Sequence, residues 1–127
     1  MKFLCLGHFD KDKMGTLAPG EVEALMARCM AVIGEMYATG AIRVEAGLEN
    51  TTRNLVRRDG KVRATDGPFT EAKEMVGSAF IVEAADMDEA VRIASLHPTT
   101  RMDEGERLGW RLEIRPIHYL AGTYATG

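Results

Sequence analysis

Five side chains in this sequence are of types that move protons or hold anions: His8, Asp66, His97, Glu113 and Arg115. Imidazole titrates near neutral pH, carboxylates accept hydrogen bonds, and a guanidinium can grip a carboxylate through paired N–H donors. His97 extends the Ala90, Ile93, Ala94 face of a helical segment by one turn, so it projects toward whatever that helix packs on. The helix macrodipole favours its protonated form and burial favours the neutral form, which leaves the sign of any pKa shift open. Capping the helix C-terminus is its structural alternative. Asp66 opens an Asp-Gly-Pro stretch, turn chemistry in which the side-chain oxygen bonds nearby backbone. Glu113 and Arg115 share one face of an alternating stretch with Ile117 and Tyr119, while Leu112, Ile114, Pro116 and His118 occupy the other. Covered by protein, those two charges must pair with each other or face a wet cavity, because an isolated buried charge is too costly. In a cavity, Arg115 can hold a substrate carboxylate, and His8 on the first apolar run adds a further polar group.

Two other constellations read as structural. Asp10, Asp12, Gly15 and Glu21 fall at positions 1, 3, 6 and 12 of a calcium loop. Met14 stands where an oxygen ligand belongs and the preceding residues read as strand, so an ordinary charged loop is expected and no metal site. Arg53, Arg57, Arg58, Lys61 and Arg63 crowd one short stretch with Asp59 among them. No aromatic residue is interleaved for base stacking, and the chain as a whole is acidic, with a net charge of −3. Nucleic acid is therefore disfavoured, and a solvated basic hairpin is the expectation. Cys5 and Cys29 form no ligand motif and sit in apolar stretches, as free thiols of a reducing cytoplasm do. The apolar start is too short for a signal peptide or a membrane span, so a cytoplasmic protein without membrane contact is expected. No cofactor motif is present.

The elements that must position these residues follow from periodicity. Residues 1 to 9 read as a strand. From Pro19, the recurrence of Val22, Leu25, Met26, Cys29, Met30, Ile33, Met36 and Tyr37 predicts one helix ending before Gly40. Residues 41 to 65 hold two or three strands, with Asp59-Gly60 turning 54–57 back onto 61–64. A loop follows over 66–74, then a buried-type strand over 77–84 and a helix from the Asp86 cap to His97. A polar connection over 99–109 leads to a final strand over 111–119. The order is that of a ferredoxin-like βαββαβ fold, α+β, with an elaborated central hairpin. Its two helices cover one sheet face, yet the first strand and Ala79 to Val82 are apolar on both. A homodimer packed sheet to sheet would cover the second face.

Asp66-Gly67-Pro68-Phe69-Thr70-Glu71-Ala72-Lys73-Glu74, then His97-Pro98 and Glu113-Ile114-Arg115-Pro116-Ile117, resemble the DGPF subgroup of the YCII-related family. The resemblance implies a single domain over residues 1–120 with a C-terminal tail at 121–127, dimerising through its sheet into an α/β barrel. It further implies His97 and Asp66 as a catalytic pair facing a cavity; beside them Arg115, Glu113 and His8 are expected, from their own chemistry, as substrate-binding residues. A few relatives are linked to elimination or dehydrochlorination on small aromatic acids, and others accompany alternative sigma factors. The leading expectation is thus a small-molecule-binding protein that transfers protons in elimination or isomerisation, lyase or isomerase chemistry without a cofactor. The alternative is a non-catalytic ligand sensor or regulatory module tied to transcription control.

Overall fold

The computed structural model describes residues 1–67 and 72–122. Four of the DGPF-type residues, 68–71, lie outside that range, as does the expected tail apart from 121 and 122. In chain order the elements are β1 (Lys2–Asp10), α1 (Lys11–Met14), α2 (Pro19–Val32), α3 (Gly34–Ala38), β2 (Ile42–Gly47), β3 (Arg53–Arg58) and β4 (Lys61–Asp66). They continue as β5 (Glu74–Glu83), α4 (Met87–Ala94), α5 (Pro98–Arg101), α6 (Glu104–Leu108) and β6 (Arg111–Pro116). Four strands make one antiparallel sheet in the order β2-β5-β1-β6, and β3 with β4 make a separate two-stranded sheet. With that hairpin set aside, the expected strand-helix-strand-strand-helix-strand order is the one observed, in an α+β molecule.

Strand alternation decides which side of the sheet is core. In β1, Phe3, Cys5 and Gly7 are buried while Lys2, Leu4, Leu6 and His8 are only partly so. Register carries the same division across the sheet: Phe3 lies opposite Val82 and Pro116, and Cys5 opposite Phe80 and Ile114. Phe3, Cys5, Phe80 and Val82 pack with Ile33, Met36, Ala90 and Ala94, so the helices meet that face. Alanine at 90 and 94 lets α4 approach the sheet closely, and each fully buried Phe removes apolar surface worth roughly 2 to 3 kcal/mol. On the opposite face, Leu4, Leu6, Val44 and Ala79 remain part exposed and Ala46 is exposed. Among the described residues no helix is long and apolar enough to cross a membrane.

Local chemistry explains most boundaries. Asp86 starts α4 by accepting from the Glu89 N–H at 2.8 Å. Asp59 and Gly60 both have positive φ, 52° and 75°, the two-residue turn that matches strand twist. Gly109 ends α6 at φ 69°, where a Cβ would lie 2.8 Å from that of Asp10, so a side chain is excluded on two grounds. The calcium-like stretch uses its carboxylates as caps: Asp10 accepts from the N–H groups of Asp12 and Lys13, and Glu21 accepts from that of Ala18. The hydrogen bonds to backbone N–H hold Asp10 below the usual carboxylate range.

Several boundaries differ from the sequence reading: β5 begins at Glu74 rather than at 77, and α4 ends at Ala94 rather than at His97. The single helix expected from Pro19 divides at Ile33, because Gly34 begins a separate turn of helix. The connection over 99–109 is two short helices, since Pro98 at a first helical position starts α5 and Asp103 precedes α6. The last strand stops at Pro116, with one further bond from the Ile117 N–H to the Lys2 carbonyl before the chain leaves the sheet.

Candidate functional site

Two histidine-carboxylate pairs lie on opposite faces of the sheet. On the face away from the helices, His8 Nε2 is 3.0 Å from Glu113 Oε1. β1 and β6 set this contact: Glu113 lies opposite Leu6, and His8 is the next residue of β1 on that face. A β-bulge at Gly7/His8 on the β5 side re-aims the strand beside this pair. Beside them Arg111 donates to both oxygens of Glu74, Nε at 2.7 Å and Nη2 at 2.9 Å. That bidentate grip holds the Glu74 carboxyl below its usual range. His8, Asp10, Ala72, Lys73, Glu74 and Gly109 line an open cleft of about 610 Å³. Arg115, opposite Leu4, is exposed and has no ion-pair partner among the described residues. The face is therefore polar at the His8 end and apolar along Leu4, Leu6 and Ala79.

The second pair is buried under the helices. His97 follows α4 but caps the helix after it: its Nδ1 accepts from the Thr99 N–H at 3.2 Å and lies 2.9 Å from Thr99 Oγ1. The ring stacks on Phe80, centroids 4.9 Å apart and planes 11° from parallel. With Nδ1 accepting, the neutral ring carries its proton on Nε2, which faces Glu45 Oε2 at 3.8 Å. The other Glu45 oxygen accepts from the Tyr37 hydroxyl. Burial pushes His97 down to about 4, and the hydrogen bond to Glu45 pushes Tyr37 up to about 12. The sign left open by the sequence is thus set by desolvation. Glu45 Oε2 is buried without a hydrogen-bond partner among the described residues.

Of the five residues read from the sequence, the structure joins His8 to Glu113 and sets Arg115 on the same face. It places Asp66 on exposed β4, paired with Arg53 Nε at 2.8 Å, and gives His97 Glu45 as its carboxylate neighbour. No hydrogen bond or ion pair joins Asp66 to His97 among the described residues. Glu45, Tyr37, Glu74 and Arg111 were not singled out from the sequence. Simple alternation puts Arg43 and Glu45 together on an outward face, but a bulge between Ile42 and Val44 returns Glu45 to the core side, opposite Phe80. Nothing in the sequence signals that bulge.

The sequence profile of the YCII-related domain family matches residues 1–109. No curated protein matches the chain. Among solved structures, 5-chloro-2-hydroxyhydroquinone dehydrochlorinase from Burkholderia phenoliruptrix AC1100, in complex with 2,5-dihydroxybenzoquinone, is similar at 20% identity over 94% of this chain and 95% of that one, with a TM-score of 0.45.

Proposed function

The chain belongs to the YCII-related domain family, and from that premise we propose a homodimeric small-molecule-binding protein of the DGPF subgroup that moves a proton on its ligand. The dimer closes the helix-free sheet faces into an α/β barrel, with the ligand between them. The observation that carries the reading is the His8 to Glu113 contact at 3.0 Å, at the polar end of an apolar sheet face and beside a cleft. Glu113 accepts from Nε2–H, fixes the tautomer and stabilises the imidazolium, which leaves Nδ1 to take a proton from a bound molecule. Arg115 holds an anionic group of that molecule, and Leu4 and Leu6 form the floor beneath its hydrocarbon part. Elimination and isomerisation both begin with such a proton removal. In the first the proton stays on His8 as the leaving group departs with its electron pair; in the second His8 returns it to another atom of the same ligand.

A second reading keeps proton transfer at His97, with Glu45 in the place expected for Asp66. Its favouring observation is that His97 has a carboxylate, Glu45, 3.8 Å from Nε2. Against it, Nδ1 is committed to Thr99 and Asp66 to Arg53.

The test is a panel of small organic acids followed by thermal shift and by NMR in deuterium oxide, where loss of a ligand C–H signal reports proton abstraction. Wild type should bind one acid and exchange its proton. His8→Ala should keep binding and lose exchange by about a hundredfold or more, the size of one general-base contribution. Arg115→Gln should weaken binding itself. Exchange that survives His8→Ala and is lost in a folded His97→Gln moves the chemistry to the second reading. Binding without exchange in wild type overturns catalysis and leaves a ligand sensor.

A further inference from the structure

The β3–β4 hairpin stands apart from the four-stranded sheet. It is hydrogen-bonded as a sheet only to itself, and its root is tied by the Gly67 N–H to the Thr52 carbonyl and by Asn54 Nδ2 to the Gly67 carbonyl. Isolated two-stranded hairpins are marginal in water. Every residue of β4 is nevertheless exposed, and Leu55 and Val62 are 69% and 65% exposed. Register puts Leu55, Arg57, Val62 and Ala64 on one face, and Val56, Arg58, Lys61 and Arg63 on the other. Arg57, Arg58, Lys61 and Arg63 have no ion-pair partner among the described residues.

We propose that this hairpin is an arm that clasps a second copy of the chain. The inference rests on the homodimer of the preceding section and adds a second contact to it. Charge selects the occupant. Residues 53 to 66 carry five basic side chains against two acidic ones, a net +3, and since the whole chain is −3, the remainder carries −6. The rest of a second copy is therefore acidic on balance, which favours a basic arm, and two-fold symmetry lets each arm serve the other subunit. The composition agrees: arginine mixed with exposed aliphatic residues suits a protein surface, whereas a polyanion has no use for Leu55 and Val62 and finds no aromatic ring to stack on. The arm also rises from the sheet end where β2 finishes and β5 begins, the end at which His8 lies.

Sedimentation equilibrium of the full chain tests it, with wild type, Leu55→Ser/Val62→Ser and Arg57→Glu/Arg63→Glu compared at low salt after circular dichroism shows each folded. All four positions are exposed, so folding should persist. Both double variants should weaken the dimer by about tenfold or more, equivalent to about 1.4 kcal/mol, and added salt should weaken wild type toward the arginine variant. A dimer equally tight in all three proteins overturns the arm and leaves the sheet-to-sheet dimer standing. A wild type that is monomeric at high micromolar concentration overturns both. Retained dimerisation together with binding of a fluorescent single-stranded oligonucleotide near physiological salt, lost in the arginine variant, assigns the ribbon to a polyanion and overturns the proposal.

Discussion

The two histidines that meet carboxylates, His8 and His97, meet one sheet from opposite faces and among different neighbours. His97 is under the helices, flat against Phe80, with Nδ1 spent on Thr99 and its pKa pushed down to about 4. His8 is on the helix-free side, at normal hydrogen-bond distance from Glu113 and on the wall of a cleft. A histidine beside a carboxylate is thus not by itself a catalytic unit. Burial in an apolar layer disfavours the charged form that proton transfer requires, which is the situation of His97.

That contrast can be broken or sharpened by experiment. The largest expected difference is chemical reactivity: diethyl pyrocarbonate followed by mass spectrometry should modify His8 about a hundredfold faster than His97, which must wait for the core to open. Equal rates would erase the distinction. Next, His97→Ala should cost about 3 kcal/mol in urea unfolding, since it removes a ring stacked in the core and leaves a cavity, whereas His8→Ala should cost less than about 1 kcal/mol.

The pH dependence of stability should carry the same signature. His97 binds its proton more weakly folded, at about 4, than at its ordinary value of 6.5, so the unfolded chain takes up the proton first as pH falls. Stability is fully present above pH 6.5, falls by about 3 kcal/mol between pH 6.5 and 4, and gains no further loss from this group below that. His97→Phe should flatten that window. The carboxyls of Glu74, Glu83 and Asp10, all held below their ordinary values, add losses that open at those values, 4.5 for the glutamates and 3.8 for Asp10, and continue as pH falls further. Smallest of all, Tyr37→Phe should cost about 1 kcal/mol by removing the hydrogen bond to Glu45, with urea unfolding as the measurement.

How far this layout was legible beforehand depends on which signals are periodic. The strand order, the Asp59-Gly60 turn and the Asp86 cap follow from alternation, a turn dipeptide and a capping residue, all local. The site was legible as residue types, and His8, Glu113 and Arg115 do share a face because strand parity is local too. Their partners were not. Glu45 reaches His97 only because a bulge breaks parity in β2, and His97 leaves its helix early because Pro98 recruits it as a cap for the next one. Asp66 was linked to His97 by resemblance, while its Arg53 partner was set by the hairpin register. Irregularity and long-range pairing are what short windows of sequence do not contain.

The placement of β1 between β5 and β6 also governs how the chain can assemble in time. Its partners are the last two strands to be made, and the His8 to Glu113 contact spans 105 residues of chain. On a ribosome, therefore, β1 emerges as an apolar segment with both edges open and nothing to pair with until β5 follows. Loop closure on that scale predicts slow, topology-limited folding, in which the helix from Pro19 and the β3–β4 turn form early and the central strand docks late. The His8 to Glu113 contact, joined across β1 and β6, is then completed only when the sheet closes, so an incompletely folded chain lacks it.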